Sequence, residues 1–182
     1  SGGGLAGFNL DASTWTRHGG RDGLETYAQG EITGEAVSVR ARAGGGALVG
    51  TYGTRTLNPG GLVATKPFWS AVVNEYDGSA WTNRVFEHAG AVSSLAYDAD
   101  GRLWAATTRG GAARVDTENT DRWPWDRSVG GVFVREGGTW FRLDADRDGV
   151  PSNDIAVVRV APDDTVWRGS QGWGLARVDP RA

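Results

Sequence analysis

Val92 to Asp116, VSSLAYDADGRLWAATTRGGAARVD, reads as three short strands separated by two breaks. Leu95 and Tyr97 alternate with small or polar residues, as one half-buried strand should. Asp98-Ala-Asp-Gly101 follows as a tight turn. An Asp-Gly pair between two β-rich runs is a strong hairpin signal, because glycine accepts the positive φ that the turn needs. Leu103 and Trp104 open the second strand, Gly110-Gly111 breaks it, and the run to Asp116 is a third. Ile155 to Asp179, IAVVRVAPDDTVWRGSQGWGLARVD, matches this stretch segment for segment. Trp104 matches Trp167 and Arg114 matches Arg177, each 63 residues later. Equal offsets without a gap identify a repeat.

The other hairpins fall into the same scheme. Thr14-Trp15, Ala80-Trp81 and Thr139-Trp140 each follow an apolar strand and a turn, so the three tryptophans are equivalent. Residues 36–52 supply another copy of the first hairpin, with Gly44-Gly-Gly46 as its turn and Leu48 in the place of Trp104. Residues 53–70 and 117–129 are less regular and read as insertions between strands. No segment keeps an apolar period of 3.6 residues, so helix should fall below about a tenth of the chain. Trp15, Trp81, Trp104, Trp140 and Trp167 are expected to be packing residues.

Composition agrees. Gly supplies 29 of 182 residues and Pro only 6, which suits many strands and tight turns. A net charge of −3 gives no reason to expect nucleic acid. Lys66 is the one lysine among 19 basic residues, which we read as coding bias from a GC-rich genome. Cys is absent, so disulfides and thiolate metal sites are excluded. Met is absent too, as expected of a processed, excised or tagged product. No apolar run approaches a membrane span, so no membrane insertion is expected.

Three repeats of roughly 60 residues, approximately 36–90, 91–152 and 153–182 completed by 1–35, give one domain over 1–182 with four to five strands per repeat. The expected fold class is all-β, a β-propeller, since radial repetition of four-stranded sheets is the propeller arrangement. The repeat resembles that of two-component-regulator propellers: Asp98, Gly101, Trp104, Gly110-Gly111, Gly137, Trp140 and Gly149-Val-Pro-Ser-Asn153 follow its pattern. So do Trp15, Gly23-Leu24, Trp167 and Gly174-Leu175. The first repeat lacks the inner Trp, and Thr165 replaces the turn Gly. The resemblance implies a bacterial sensory or ligand-binding domain, extracytoplasmic or secreted, with no single ligand and no catalytic set.

Two constellations could carry chemistry. Asp144, Asp146 and Asp148 alternate and precede Gly149, as at the opening of a calcium loop, so Ca2+ is the expected cofactor there. Position 12 of that pattern is Ile155, and the alternative is a solvated acidic turn. Trp123, Trp125 and Trp173 lie outside the repeated positions. With Arg122 and Arg127 they form a candidate ligand-binding set that could stack on a sugar or seat a peptide; the alternative is that they cap or fill the blades. His18 and His88 lack metal-ligand spacing and read as loop residues. The leading function is a non-enzymatic ligand-binding or sensory scaffold for a small molecule or glycan. A lectin-like propeller and a propeller lyase or glycosidase are the alternatives. Three blades are too few for a ring. The matching first and last segments point to a homodimer closing six blades through N- and C-terminal half-blades, or to further blades of a longer chain.

Overall fold

The structure is a computed structural model. It describes residues 5–9, 11–18, 35–42, 45–56, 67–87, 89–109, 130–143, 145, 148, 150 and 152–178. These residues form thirteen antiparallel strands in four sheets and no helix. The N-terminal hairpin is β1 (Leu5–Asn9) and β2 (Thr14–His18). The first full sheet holds β3 (Glu35–Ala41), β4 (Ala47–Thr56), β5 (Pro67–Tyr76) and β6 (Trp81–Glu87) in chain order. The second holds β7 (Ala89–Tyr97), β8 (Leu103–Arg109), β9 (Gly131–Glu136) and β10 (Thr139–Leu143). The third holds β11 (Ile155–Val160), β12 (Val166–Ser170) and β13 (Gly174–Val178).

The two-residue period of a strand places neighbours on opposite faces. In the second sheet both faces are buried. Leu95, Leu103 and Phe133 face the first sheet and meet Leu48, Val73 and Phe86. Phe86 and Phe133 stack with centroids 4.1 Å apart. Trp104, Val132 and Val134 face the third sheet and meet Ile155, Val158 and Val166. The sheets are therefore stacked face to face in chain order.

Serine hydroxyls join the first strands of successive sheets. Ser38 Oγ donates to the Val92 carbonyl at 2.8 Å. Ser93 Oγ donates to the Ile155 carbonyl at 2.6 Å and Ser94 Oγ to the Val158 carbonyl at 3.1 Å. Gly50 permits the first approach: a Cβ there would lie 2.5 Å from the Val92 carbonyl oxygen. The hairpin lies on the other side of the first sheet. His18, at the end of β2, contacts Tyr76 and Trp81 at centroid distances of 4.9 and 5.5 Å. It is thus a packed strand residue rather than a loop histidine; His88 lies outside the described residues.

Several expectations need correction. The place beside β8 is taken by β9, with Leu103 opposite Arg135; residues 111–116, read as the third strand, lie outside the described residues. Residues 53–56 and 67–70 are strand: β4 and β5 run together from the Ala47–Tyr76 pair to the Thr56–Pro67 pair, and 57–66 lie outside the described residues. The turn glycine is replaced by Asp164, not Thr165. Gly101 N–H donates to the Asp98 carbonyl, and Asp164 N–H donates to the Ala161 carbonyl in the equivalent turn. Asp164 takes the positive φ itself, at 68° against 79° for Gly101.

The repeated tryptophans do not share one environment. Trp104 is 3% exposed, whereas Trp167 is 38% and Trp15 is 68% exposed. Trp81 and Trp140 are half-buried. The reason is the order of the stack. The tryptophan on the second strand of a sheet faces the following sheet, which covers Trp104. The tryptophan on the last strand faces the preceding one: Phe86 meets Trp140 edge-on at 5.1 Å, and His18 covers Trp81. Trp167 and Trp15 face outward at the two ends of the stack. Repetition fixes where a side chain points, not what covers it.

Candidate functional site

The site begins with two charged residues in strands. Glu75 precedes the Tyr76–Gly78 turn on β5, and Arg135 lies near the end of β9. Leu48 pairs with Glu75 as Trp104 pairs with Val134, and Leu103 pairs with Arg135 as Val166 pairs with Val178. Glu75 and Arg135 thus hold the positions that Val134 and Val178 hold one sheet later. Those valines belong to one apolar cluster between the second and third sheets. Between the first and second sheets the same seam is polar. Arg135 grips Glu75 with both Nη atoms, and Arg42 Nη1 stands 3.5 Å from the same carboxylate.

A groove of about 490 Å3 lies beside this seam at the turn end of the two sheets. It is an open groove with a mainly polar lining. Thr82 and Arg84 from β6 form one wall with Glu75; Arg135 and Trp140 form the other. The Gly137-Gly138 turn closes the rim, both residues having positive φ (54° and 85°), as a type I′ hairpin turn requires. The Arg84 guanidinium lies 5.8 Å from the Phe86 ring centroid, and that of Arg135 lies 5.5 Å from the ring of Trp140. Arg84 is exposed, and no carboxylate pairs with it among the described residues.

A second charge cluster stands at the rim. Burial opposes ionisation of Asp98, but donors from Trp104 Nε1, Arg102 Nε and the Arg102 backbone outweigh it and hold the carboxyl below its usual range. Arg102, raised mainly by its hydrogen bond to Asp98, also pairs with Asp100 and Glu136. In the β5–β6 turn, the Ala80 and Ser79 N–H groups and the Ser79 hydroxyl lower Asp77 to about 2. These carboxylates fix turns and are not poised for proton transfer.

The residues singled out from sequence do not converge here. Trp123, Trp125, Arg122 and Arg127 lie outside the described residues, as do Asp144 and Asp146. Trp173 is 71% exposed at the tip of the β12–β13 turn. Asp148 is exposed, and no group of three potential metal ligands occurs among the described residues. Beside it stands Arg168, 4% exposed, whose Nε and Nη1 have no hydrogen-bond partner. Burial lowers its pKa, with the Asp148 charge acting in the opposite direction. The groove was missed because its residues are single charges in otherwise regular strands. The available signal was a break in the repeat, a Glu and an Arg where the next copy has two valines.

No family model matches the chain, and neither does any curated protein. Two solved structures of the extracellular domain of BT4673 from B. thetaiotaomicron share 15% identity with it, at a TM-score of 0.40. One is described as belonging to a proposed one-component system and the other to a proposed hybrid two-component system. The likeness covers 96% of this chain and 24% of each of theirs, so this chain spans about a quarter of their length.

Proposed function

We propose that the chain is a run of propeller blades serving as a non-enzymatic ligand-binding or sensory scaffold, and that two copies close one ring. The supporting observation is the contrast between Trp104, 3% exposed, and its equivalent Trp167, 38% exposed. Trp104 lies under the next sheet, and Trp167 presents the same face with Leu175, 64% exposed, beside it. The other end of the stack is open in a complementary way. The hairpin covers Tyr76 and Trp81 on the outer strands of the first sheet. On the inner strand β3, Val37 and Val39 stay 44% and 63% exposed. A partner's third sheet, laid beside the hairpin, brings its Trp167 face onto these valines and puts Trp15 against its second sheet. Exposed apolar faces of this kind mark interaction surfaces, and two-fold closure is the commonest assembly. Each composite blade then holds three strands from one copy and two from the other, six blades in all.

The repeat's resemblance to regulator propellers supports the sensory role and a place outside the cytoplasm. Light scattering of the purified chain tests the assembly. The expected mass is twice 19.3 kDa, and Trp167→Glu should return it to 19.3 kDa. A wild-type protein that is monomeric at micromolar concentration overturns self-closure and leaves the open faces to other segments or partners.

A further inference from the structure

We propose that the groove between the first two sheets binds a small, ring-bearing carboxylate, with Arg84 as the anion-binding group and Trp140 as the surface on which the ring lies. The inference rests on the reading of this chain as a ligand-binding scaffold and supplies the site and the ligand class.

Three observations carry it. The seam is polar where the equivalent seam between the second and third sheets is closed by Val134 and Val178. Such a local departure from an otherwise consistent repeat, made at a cost in packing, is expected where a surface has another task. Next, the cations in and around the groove differ in what they already hold. Arg135 and Arg42 are engaged by Glu75, and Arg102 by Asp98, Asp100 and Glu136. Arg84 is the basic residue of the wall with no carboxylate partner among the described residues, and its planar fork suits a carboxylate. Last, Trp140 is half-buried, fixed by the edge-on ring of Phe86 and the guanidinium of Arg135, so its indole is held still without a ligand. An indole already held in place, facing an exposed cation on the opposite wall, is an arrangement in which the aromatic part of the site needs no ordering on binding.

Isothermal titration of the assembled protein with glucuronate, and with glucose as its neutral counterpart, tests this. Glucuronate should bind saturably with a Kd near or below about 1 mM, and glucose at least about ten-fold more weakly. Added salt should weaken the glucuronate binding. Arg84→Gln should abolish the preference for glucuronate over glucose, and Arg84→Lys should restore part of it. Arg84 is exposed and outside the sheet cores, so both variants should fold, and light scattering should show unchanged mass. Equal binding of the two sugars, no binding of either, or a preference that survives Arg84→Gln overturns the proposal. An unchanged assembly with no glucuronate binding defeats this inference alone, whereas loss of assembly in the wild-type protein bears only on ring closure.

Discussion

The indole N–H of Trp104 donates to Oδ2 of Asp98 at 2.8 Å, so the turn that starts β8 and the tryptophan inside it are one unit. The Asp98 side chain is fully buried and also holds Arg102 through Nε and the backbone N–H. Asp98→Ala leaves a buried indole N–H and a largely buried guanidinium short of their charged acceptor. Hydrogen bonds to charged groups contribute about 1.5–3 kcal/mol each, so the variant should lose about 3 kcal/mol in urea denaturation. Asp98→Asn keeps an acceptor and should lose less. The sign of the pH effect follows from the lowered carboxyl pKa. The stability Asp98 contributes is present above the unfolded value of about 3.9 and is lost as pH falls through the folded one. Asp98→Asn should flatten the acid limb of the stability curve. An unaltered acid limb would show that the carboxylate is not the acid-sensitive element.

Asp164 makes the equivalent turn of the third sheet and reaches back to the second. Its Oδ1 accepts the Ala99 N–H at 2.7 Å. It does so at a φ of 68°, where a side chain other than glycine is strained. The two effects separate in a pair of variants. Asp164→Gly relieves the backbone but loses the link between turns, and Asp164→Ala loses the link and keeps the strain. Stability should fall in the order wild type, Gly, Ala, with the last two about 1 kcal/mol apart. Equal stabilities of Gly and Ala would mean that the backbone relaxes away from the positive φ.

Trp104 and Trp167 give the sharpest stability contrast. Trp104→Ala removes a core side chain between two sheets and should cost about 3–5 kcal/mol. Trp167→Ala, measured where the chain is monomeric, should cost no more than about 1 kcal/mol, because a substantial part of the ring is already in water. If two copies close the proposed ring, the second variant should instead raise its dissociation constant. If Trp167→Ala destabilises the monomer as much as Trp104→Ala, the exposed face is not an interface.

The parts of the fold legible in the sequence are those fixed locally. The Asp98–Gly101 turn specifies the β7–β8 hairpin by its own chemistry, and strand alternation marks which side chains share a face. Partner choice is not local. The sequences GAARVD and GVFVRE carry the same strand signal, and only long-range pairing puts the second beside β8. The Glu75–Arg135 pair was out of reach for the same reason: 60 residues separate the partners, and neither is unusual in its own strand. The exposure of Trp15 and Trp167 depends on the two ends of the stack, which a repeat pattern does not encode.

Arg168 bears on the acidic stretch 144–148 that precedes the third sheet in sequence. Its guanidinium is buried with two nitrogens unpartnered, and the charge acting on it is that of Asp148. An unpaired buried cation is costly, so a carboxylate nearby stabilises the fold directly. The calcium reading of Asp144, Asp146 and Asp148 predicts that chelator lowers the melting temperature and that Asp148→Asn abolishes that response. The counter-charge reading predicts that Asp148→Asn lowers the melting temperature equally with and without calcium. It also predicts that Arg168→Met, which removes the buried charge, makes the protein insensitive to Asp148→Asn. We expect the second pattern, because the cation to be neutralised is already supplied by the chain. A chelator-dependent melt that Asp148→Asn removes would establish the metal site instead.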